Sequence, residues 1–181
     1  MIHNNIEYSR VNPVSADIVK LDDIKSFLRI GNNLEDDFLK KIIVLAIEYI
    51  EWYLNISIAT QEWKATVHER LFIIDLKYPP IKGITQVTYE EYPDPDKWKV
   101  YDEENYKLQG NKLFILDNLP AIKRITVEYT AGYDKLDSAP YPIKESLYRY
   151  IFALYTNRDN LDNLNKIKKD FDQFKNFNIV L

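Results

Sequence analysis

The stretch from Leu21 to Trp63 constrains this chain more than any other. It predicts a short helix, a break at Gly31-Asn32-Asn33, a long apolar helix over 34–54 and then the start of a strand. Asn33 is placed to cap the long helix, with Asp36 three positions on as a weak capping box. Glu35, Asp36 and Asp37 fill its first turn, where the helix dipole favours negative charge. Phe38, Ile42, Ala46, Tyr49 and Tyr53 recur every three or four residues and define one buried face. Leu39, Ile43, Ile47 and Ile50 widen that face beyond what one core needs, leaving a narrow polar strip of Asp37, Lys41, Glu48 and Glu51. A helix this apolar either sits at the centre of its own domain or also touches another chain.

The rest of the chain alternates between period two and period 3.6. Residues 1–12 are polar and irregular and read as a mobile arm. Leu21, Ile24, Phe27 and Leu28 form the apolar face of the short helix, which Gly31 is expected to end, as Asn55 ends the long one. From Thr60 the pattern alternates: Trp63, Ala65 and Val67 face one way, Lys64, Thr66 and His68 the other. Further strand segments follow at 71–76, 84–92, 98–100, 106–108, 113–116 and 124–130. They are punctuated by Pro79-Pro80, Pro93-Asp94-Pro95-Asp96 and the hairpin signal Gly110-Asn111. Pro142 fits the first turn of a helix reaching about Tyr155, with Ile143, Leu147, Tyr150, Ile151 and Leu154 on its buried face. Tyr148 and Phe152 lie off that face and need a second contact. Leu161, Leu164, Ile167, Phe171 and Phe174 then repeat at steps of three and four, a narrow seam suited to one partner helix. The expected class is α+β: an N-terminal helix pair and C-terminal helices packed with an inserted antiparallel β-sheet or small sandwich. The 181 residues suit one domain, with 13–59 helical, 60–133 antiparallel β and 140–176 helical.

The chemistry-bearing residues are few. Cysteine is absent, which removes disulfides, thiol catalysis and cysteine metal sites. His3 and His68 are the only histidines and sit in unrelated contexts. The four glycines are scattered, so no phosphate-cradling loop of known form exists. No serine lies in a nucleophile elbow. The acidic trio at 35–37 reads as helix-start electrostatics, and the pairs Glu90-Glu91 and Glu103-Glu104 as surface acids. No catalytic residue, cofactor site or metal site is assigned. A net charge of −4 argues against tight binding to DNA phosphates, although an acidic wall lets DNA slide past without sticking. No apolar run reaches the ~20 residues of a membrane span.

Several blocks taken together resemble the head-tail connector proteins of tailed phages, also called adaptor, head-completion or DNA-packaging proteins. They are Pro13-Val14; Val19 to Ile30; Glu35-Asp36-Asp37; Ile58 to Trp63; Tyr78-Pro79-Pro80-Ile81 with Val87-Thr88-Tyr89; Val127 to Tyr133; Pro142-Ile143-Lys144; and Tyr155 to Asp159. Lys20 stands where the family commonly has a serine or threonine cap, Asn55 where it has glycine, and the segment after Asp159 departs from the family ending. The resemblance implies a non-enzymatic virion, prophage or gene-transfer-particle protein, made in the bacterial cytoplasm and placed at the head–tail junction. It implies a ring of about twelve copies under the portal protein, which extends the channel for double-stranded DNA without reading its sequence. The ring offers a docking surface to tail, stopper or neck proteins, and the lone subunit can be monomeric. Candidate contact residues are Leu39, Ile43, Ile47, Ile50, Tyr148 and Phe152, with the seam Leu161, Leu164, Ile167, Phe171 and Phe174. The competing readings are a small hydrolase or ligand-binding module with a pocket in the sheet, and a tail-completion or neck protein.

Overall fold

The computed structural model describes residues 6–91, 97–116 and 122–157. Eight strands and three α-helices account for most of them: β1 (Ile6–Arg10), α1 (Leu21–Leu28), α2 (Asp36–Leu54), β2 (Gln61–Val67), β3 (Ile73–Asp75), β4 (Ile81–Glu91), β5 (Trp98–Val100), β6 (Tyr106–Gln109), β7 (Lys112–Ile115), β8 (Ile122–Ala131) and α3 (Tyr141–Thr156). The expected α+β class is what the chain adopts. The expectation of a single domain meets two compact units here. Among the described residues, one comprises those of 6–13 and 60–132, the other those of 14–59 and 133–157. Each closes its own apolar core.

The β unit contains two antiparallel sheets, a five-stranded one in the order β1-β2-β8-β4-β5 and a three-stranded one in the order β3-β7-β6. Trp63, Ala65 and Val67 of β2 are buried, as period-two alternation requires. Ile125, Val127 and Tyr129 of β8 join them, together with Ile74 of β3 and Leu113 and Ile115 of β7. Residues of both sheets thus share one core. Gly110 turns the β6–β7 hairpin with φ 59°, a conformation glycine reaches without Cβ strain. Tyr78 also has positive φ, and the Pro79–Pro80 peptide bond is cis.

The N-terminal stretch is a correction. Rather than a mobile arm, Ile6–Arg10 is strand β1, paired antiparallel with β2 so that Ile6 faces Val67 and Arg10 faces Trp63. Val11 N–H continues the ladder to Glu62 O at 2.8 Å. The polar composition that suggested an arm is that of an edge strand, whose outer side meets water.

The helical unit is centred on α2. Leu39, Ile42, Ile43, Ala46, Ile47 and Ile50 are all buried, packed with Ile24 of α1 and with Ile143, Leu147, Tyr150 and Ile151 of α3. Each large side chain so buried contributes about 2 kcal/mol. Two helix ends differ from expectation. Arg29, not Gly31, takes the left-handed conformation that stops α1, with its N–H bonded to Lys25 and Ser26 carbonyls. The N-cap of α2 is Glu35, not Asn33. The Asn33 side chain instead accepts a hydrogen bond from Lys25 Nζ, which also pairs with Asp36 at 2.8 Å. Asn55 ends α2 in the left-handed conformation, as its sequence position indicates. α3 begins at Tyr141, with Pro142 in its first turn.

Candidate subunit interface

Leu39, Ile43, Ile47 and Ile50 are the first four candidate contact residues, and all are 0–1% exposed inside the helical core. They are therefore not surface contacts in this unit. The width of the apolar face has an internal cause: α2 is the central helix, and side chains from α1, α3 and the segments around Val14, Ile56 and Ile58 cover it from several directions.

The polar strip of α2 is also redistributed. Glu51 is buried, and its Oε1 accepts hydrogen bonds from the backbone N–H groups of Ile58 (2.6 Å) and Ala59 (3.3 Å). A carboxylate bonded to two amides in this way clasps the turn that follows the helix. The same turn carries the Ala59–Tyr133 bridge, and Tyr133 N–H donates to Ile58 O at 3.0 Å.

What α2 does expose is a row the periodic reading overlooks. Lys41, Leu45, Glu48 and Trp52 succeed one another at steps of four, three and four and all face solvent, with Trp52 71% exposed. At ~100° per residue they lie on the back of the helix, away from the core positions. The available signal was an aliphatic and an indole inside a strip otherwise made of charges.

Tyr148 and Phe152 sit where the sequence places them, off the buried face of α3. Tyr148 is half-buried and Phe152 exposed. The second contact they need is partly supplied by Phe27 of α1, whose ring meets Tyr148 at 5.3 Å and Phe152 at 6.3 Å, both edge-on. Phe27 was expected on the buried face of α1 and is instead exposed. Tyr141, 73% exposed, extends the same side of α3. Burial, together with the charge of Asp23 nearby, raises the Tyr148 phenol pKa. The seam Leu161, Leu164, Ile167, Phe171 and Phe174 lies outside the described residues.

In the β unit the exposed apolar side chains gather at strand ends and edges: Phe72, Ile73, Trp98, Val100 and Leu116. Trp98 on edge strand β5 lies under the Arg124 guanidinium at 5.0 Å. Arg124 also donates to Glu90, whose carboxylate is fully covered and pairs with Lys123 at 3.4 Å. Desolvation alone would raise the Glu90 pKa, but the hydrogen bonds and charges of Arg124 and Lys123 outweigh it and hold the carboxyl below its ordinary range. A cation–aromatic stack surrounds the Tyr78 turn. Arg10 lies over Trp63 at 5.2 Å, Trp63 stacks on Tyr78 at 4.0 Å, and Tyr8 meets Tyr78 edge-on.

The acidic residues at the start of α2 point to separate partners. Glu35 accepts a hydrogen bond from Tyr155 at 2.6 Å, Asp36 pairs with Lys25 and Asp37 lies 3.9 Å from Lys40, so the acidic trio diverges. Among the described residues no three His, Asp or Glu side chains converge to hold a metal. His68 sits 3.5 Å from Glu7 at the sheet edge, and His3 lies outside the described residues. No described helix is long and apolar enough to cross a membrane.

Residues 18–79 match the family described as phage gp6-like head-tail connector protein. No curated protein sequence matches the chain. Among solved structures, the fold is similar to a chain in the neck of an empty gene transfer agent particle computed with C6 symmetry. That likeness has a TM-score of 0.73 and 15% identity, covering 85% of this chain and 86% of the other. A chain in the virion of a native gene transfer agent particle gives 0.69 and 16%, covering 84% and 86%. One in the neck of the native particle computed with C12 symmetry gives 0.68 and 13%, covering 85% of each. Residues 18–79 thus match a head-tail connector family model, and the fold as a whole is similar to that of chains in gene transfer agent particles.

Proposed function

We propose that this protein is a structural subunit of the head–tail junction of a phage or phage-derived particle. The connector-family match and the likeness to neck chains support that role. The observation carrying most weight is that the match at 18–79 lies inside a fold shared along about 85% of the chain, so one motif is not standing in for a whole protein.

In this reading the subunits close a ring, about twelve-fold to match a portal, and the ring extends the DNA channel. Portal protein binds one side and a tail, stopper or neck protein the other. The protein works by shape and apolar contact, without a catalytic centre. Cyclic contacts are head-to-tail, so each subunit needs two different complementary surfaces, and closure depends on the rotation between copies. The terminal seam, Leu161 to Phe174, is a sequence-based candidate for partner contact.

Deleting the gene from an inducible particle tests the role. Heads that package DNA but lose it and fail to acquire tails are expected. Normal yields of tailed, DNA-filled particles from the deletion strain would rule the proposal out.

A further inference from the structure

β1 reaches the β unit by a route that no other strand takes. Strands β2 to β8 follow one another between Gln61 and Ala131, whereas β1 ends at Arg10 and residues 14–59 belong to the helical unit before β2 begins. We infer that neighbouring copies exchange this strand: β1 of one copy fills the β2 edge of the next, making there the contacts it makes with its own β2 in the lone subunit. The inference rests on the ring reading above and adds the element that would join one copy to the next.

The β2 edge is shaped for this sequence. Ile6, Tyr8 and Arg10 stand opposite Val67, Ala65 and Trp63, three residues of the β core. The Tyr8 hydroxyl donates to the Asp75 carbonyl, its ring meets Tyr78 edge-on at 6.5 Å, and the Lys77 ammonium lies 4.8 Å from the same ring. The Arg10 guanidinium covers Trp63, and Ile6 packs against the core. Backbone pairing supplies affinity and alternate side chains supply selectivity, which is how an added strand is recognised. Without β1, Trp63, Ala65 and Val67 would lose apolar cover, so the edge calls for this strand or an identical one.

The connection to the helical unit is short and exposed. Val11 N–H still bonds Glu62 O, the Asn12 side-chain amide donates to Glu62 at 2.9 Å, and Val14 is already buried in the helical core. Val11, Asn12 and Pro13 are exposed and belong to no helix or strand. Asn12 precedes a proline, which biases its backbone to the extended region. From Val11 to Val14 the chain spans about 10 Å at most. Short connections of this kind invite exchange between copies. An exchanged strand makes the same contacts as a returned one, so the two forms differ in little besides the connection. Neighbours held in a ring supply the second copy at high effective concentration. Donor strand and acceptor edge are different surfaces of each copy, so exchange runs head to tail and closes with the ring.

The chain has no cysteine, so introduced thiols report without background. Ser9 and Lys64 stand directly opposite each other, and such residues of antiparallel strands lie about 4.5–5.5 Å apart, within disulfide range. Full-length S9C/K64C, assembled under reducing conditions with the portal protein of the same genetic element and then oxidised, should give a covalent ladder extending to the ring. The same variant oxidised as the lone subunit should link internally. Locked in that way it should form at least tenfold fewer rings, with recovery on adding reductant. S9C and K64C, neither able to link internally, should each stay monomeric on denaturing gels when assembled separately and should give covalent dimers when mixed before assembly. Circular dichroism melts confirm that every variant folds. Internal disulfides alone, in samples whose rings are visible by electron microscopy, would overturn the exchange. So would locked subunits that assemble at wild-type yield, or dimers from a single-cysteine variant by itself. If the wild-type protein forms no ring with its portal, the ring reading itself fails and this inference with it.

Discussion

At the residue scale, two carboxylates do structural work that their sequence neighbourhoods conceal. Glu51 looks like a surface residue of an amphipathic helix, yet it is buried and holds two backbone amides of the following turn. Removing such a partner leaves buried donors unsatisfied, so Glu51→Ala should cost about 2–4 kcal/mol in urea unfolding, with Glu51→Gln less damaging because one acceptor remains. A change of under about 0.5 kcal/mol in the alanine variant would contradict the clasp. Glu90 sets an acid limit. Its pKa is lowered in the folded state, so across the acid range the unfolded chain binds the extra proton. The stabilisation is present above the ordinary carboxyl pKa and erodes as pH falls through the lowered one. The urea midpoint of wild type should therefore fall more steeply below about pH 4.5 than that of Glu90→Gln, since 4.5 is the ordinary value for the group. Parallel acid limbs would count against this account. At the alkaline end the sign reverses. Burial, with Tyr49 nearby, pushes the Tyr150 phenol up to about 12, so its contribution is intact below pH ~10 and lost as pH climbs through its folded value.

At the element scale, helix ends separate what was legible from what was not. Asn55 was readable as a stop because asparagine tolerates the left-handed conformation, and it adopts φ 54°. Arg29 was not, because nothing in its chemistry favours φ 59°; the glycine two positions on was the better sequence guess. Arg29→Gly should accordingly stabilise the protein by about 0.5–1 kcal/mol, whereas Asn55→Gly should change little. A destabilised Arg29→Gly variant would show that the arginine side chain contributes more than its backbone costs. The strands and α3 were legible because alternation and a 3.6-residue period are direct imprints of one-sided burial. The α2 surface was misread for the same reason: periodicity identifies the apolar residues but not how many neighbours cover them. Four of the proposed contacts proved to be core, and Leu45 and Trp52 escaped notice inside a charged strip. Strand β1 was missed because an edge strand needs only backbone pairing, which composition does not record.

At the scale of the whole molecule, each unit has a separate core; the chain enters the helical unit after Pro13, having laid down β1, and most of the β unit then follows between Ala59 and Tyr133. Those two residues form a bridge within the helical unit, so the points of departure and return are neighbours. Bringing the ends of an insertion together is thereby already accomplished by the host, with no long loop to close. A shortened gene in which residues 14–59 run through a two-glycine link into 133–181 should yield a helical protein that melts cooperatively. A gradual, non-cooperative melt would show that the helices depend on what was removed. Such adjacency lets the length and composition of the segment between 59 and 133 change without altering how the helical frame closes.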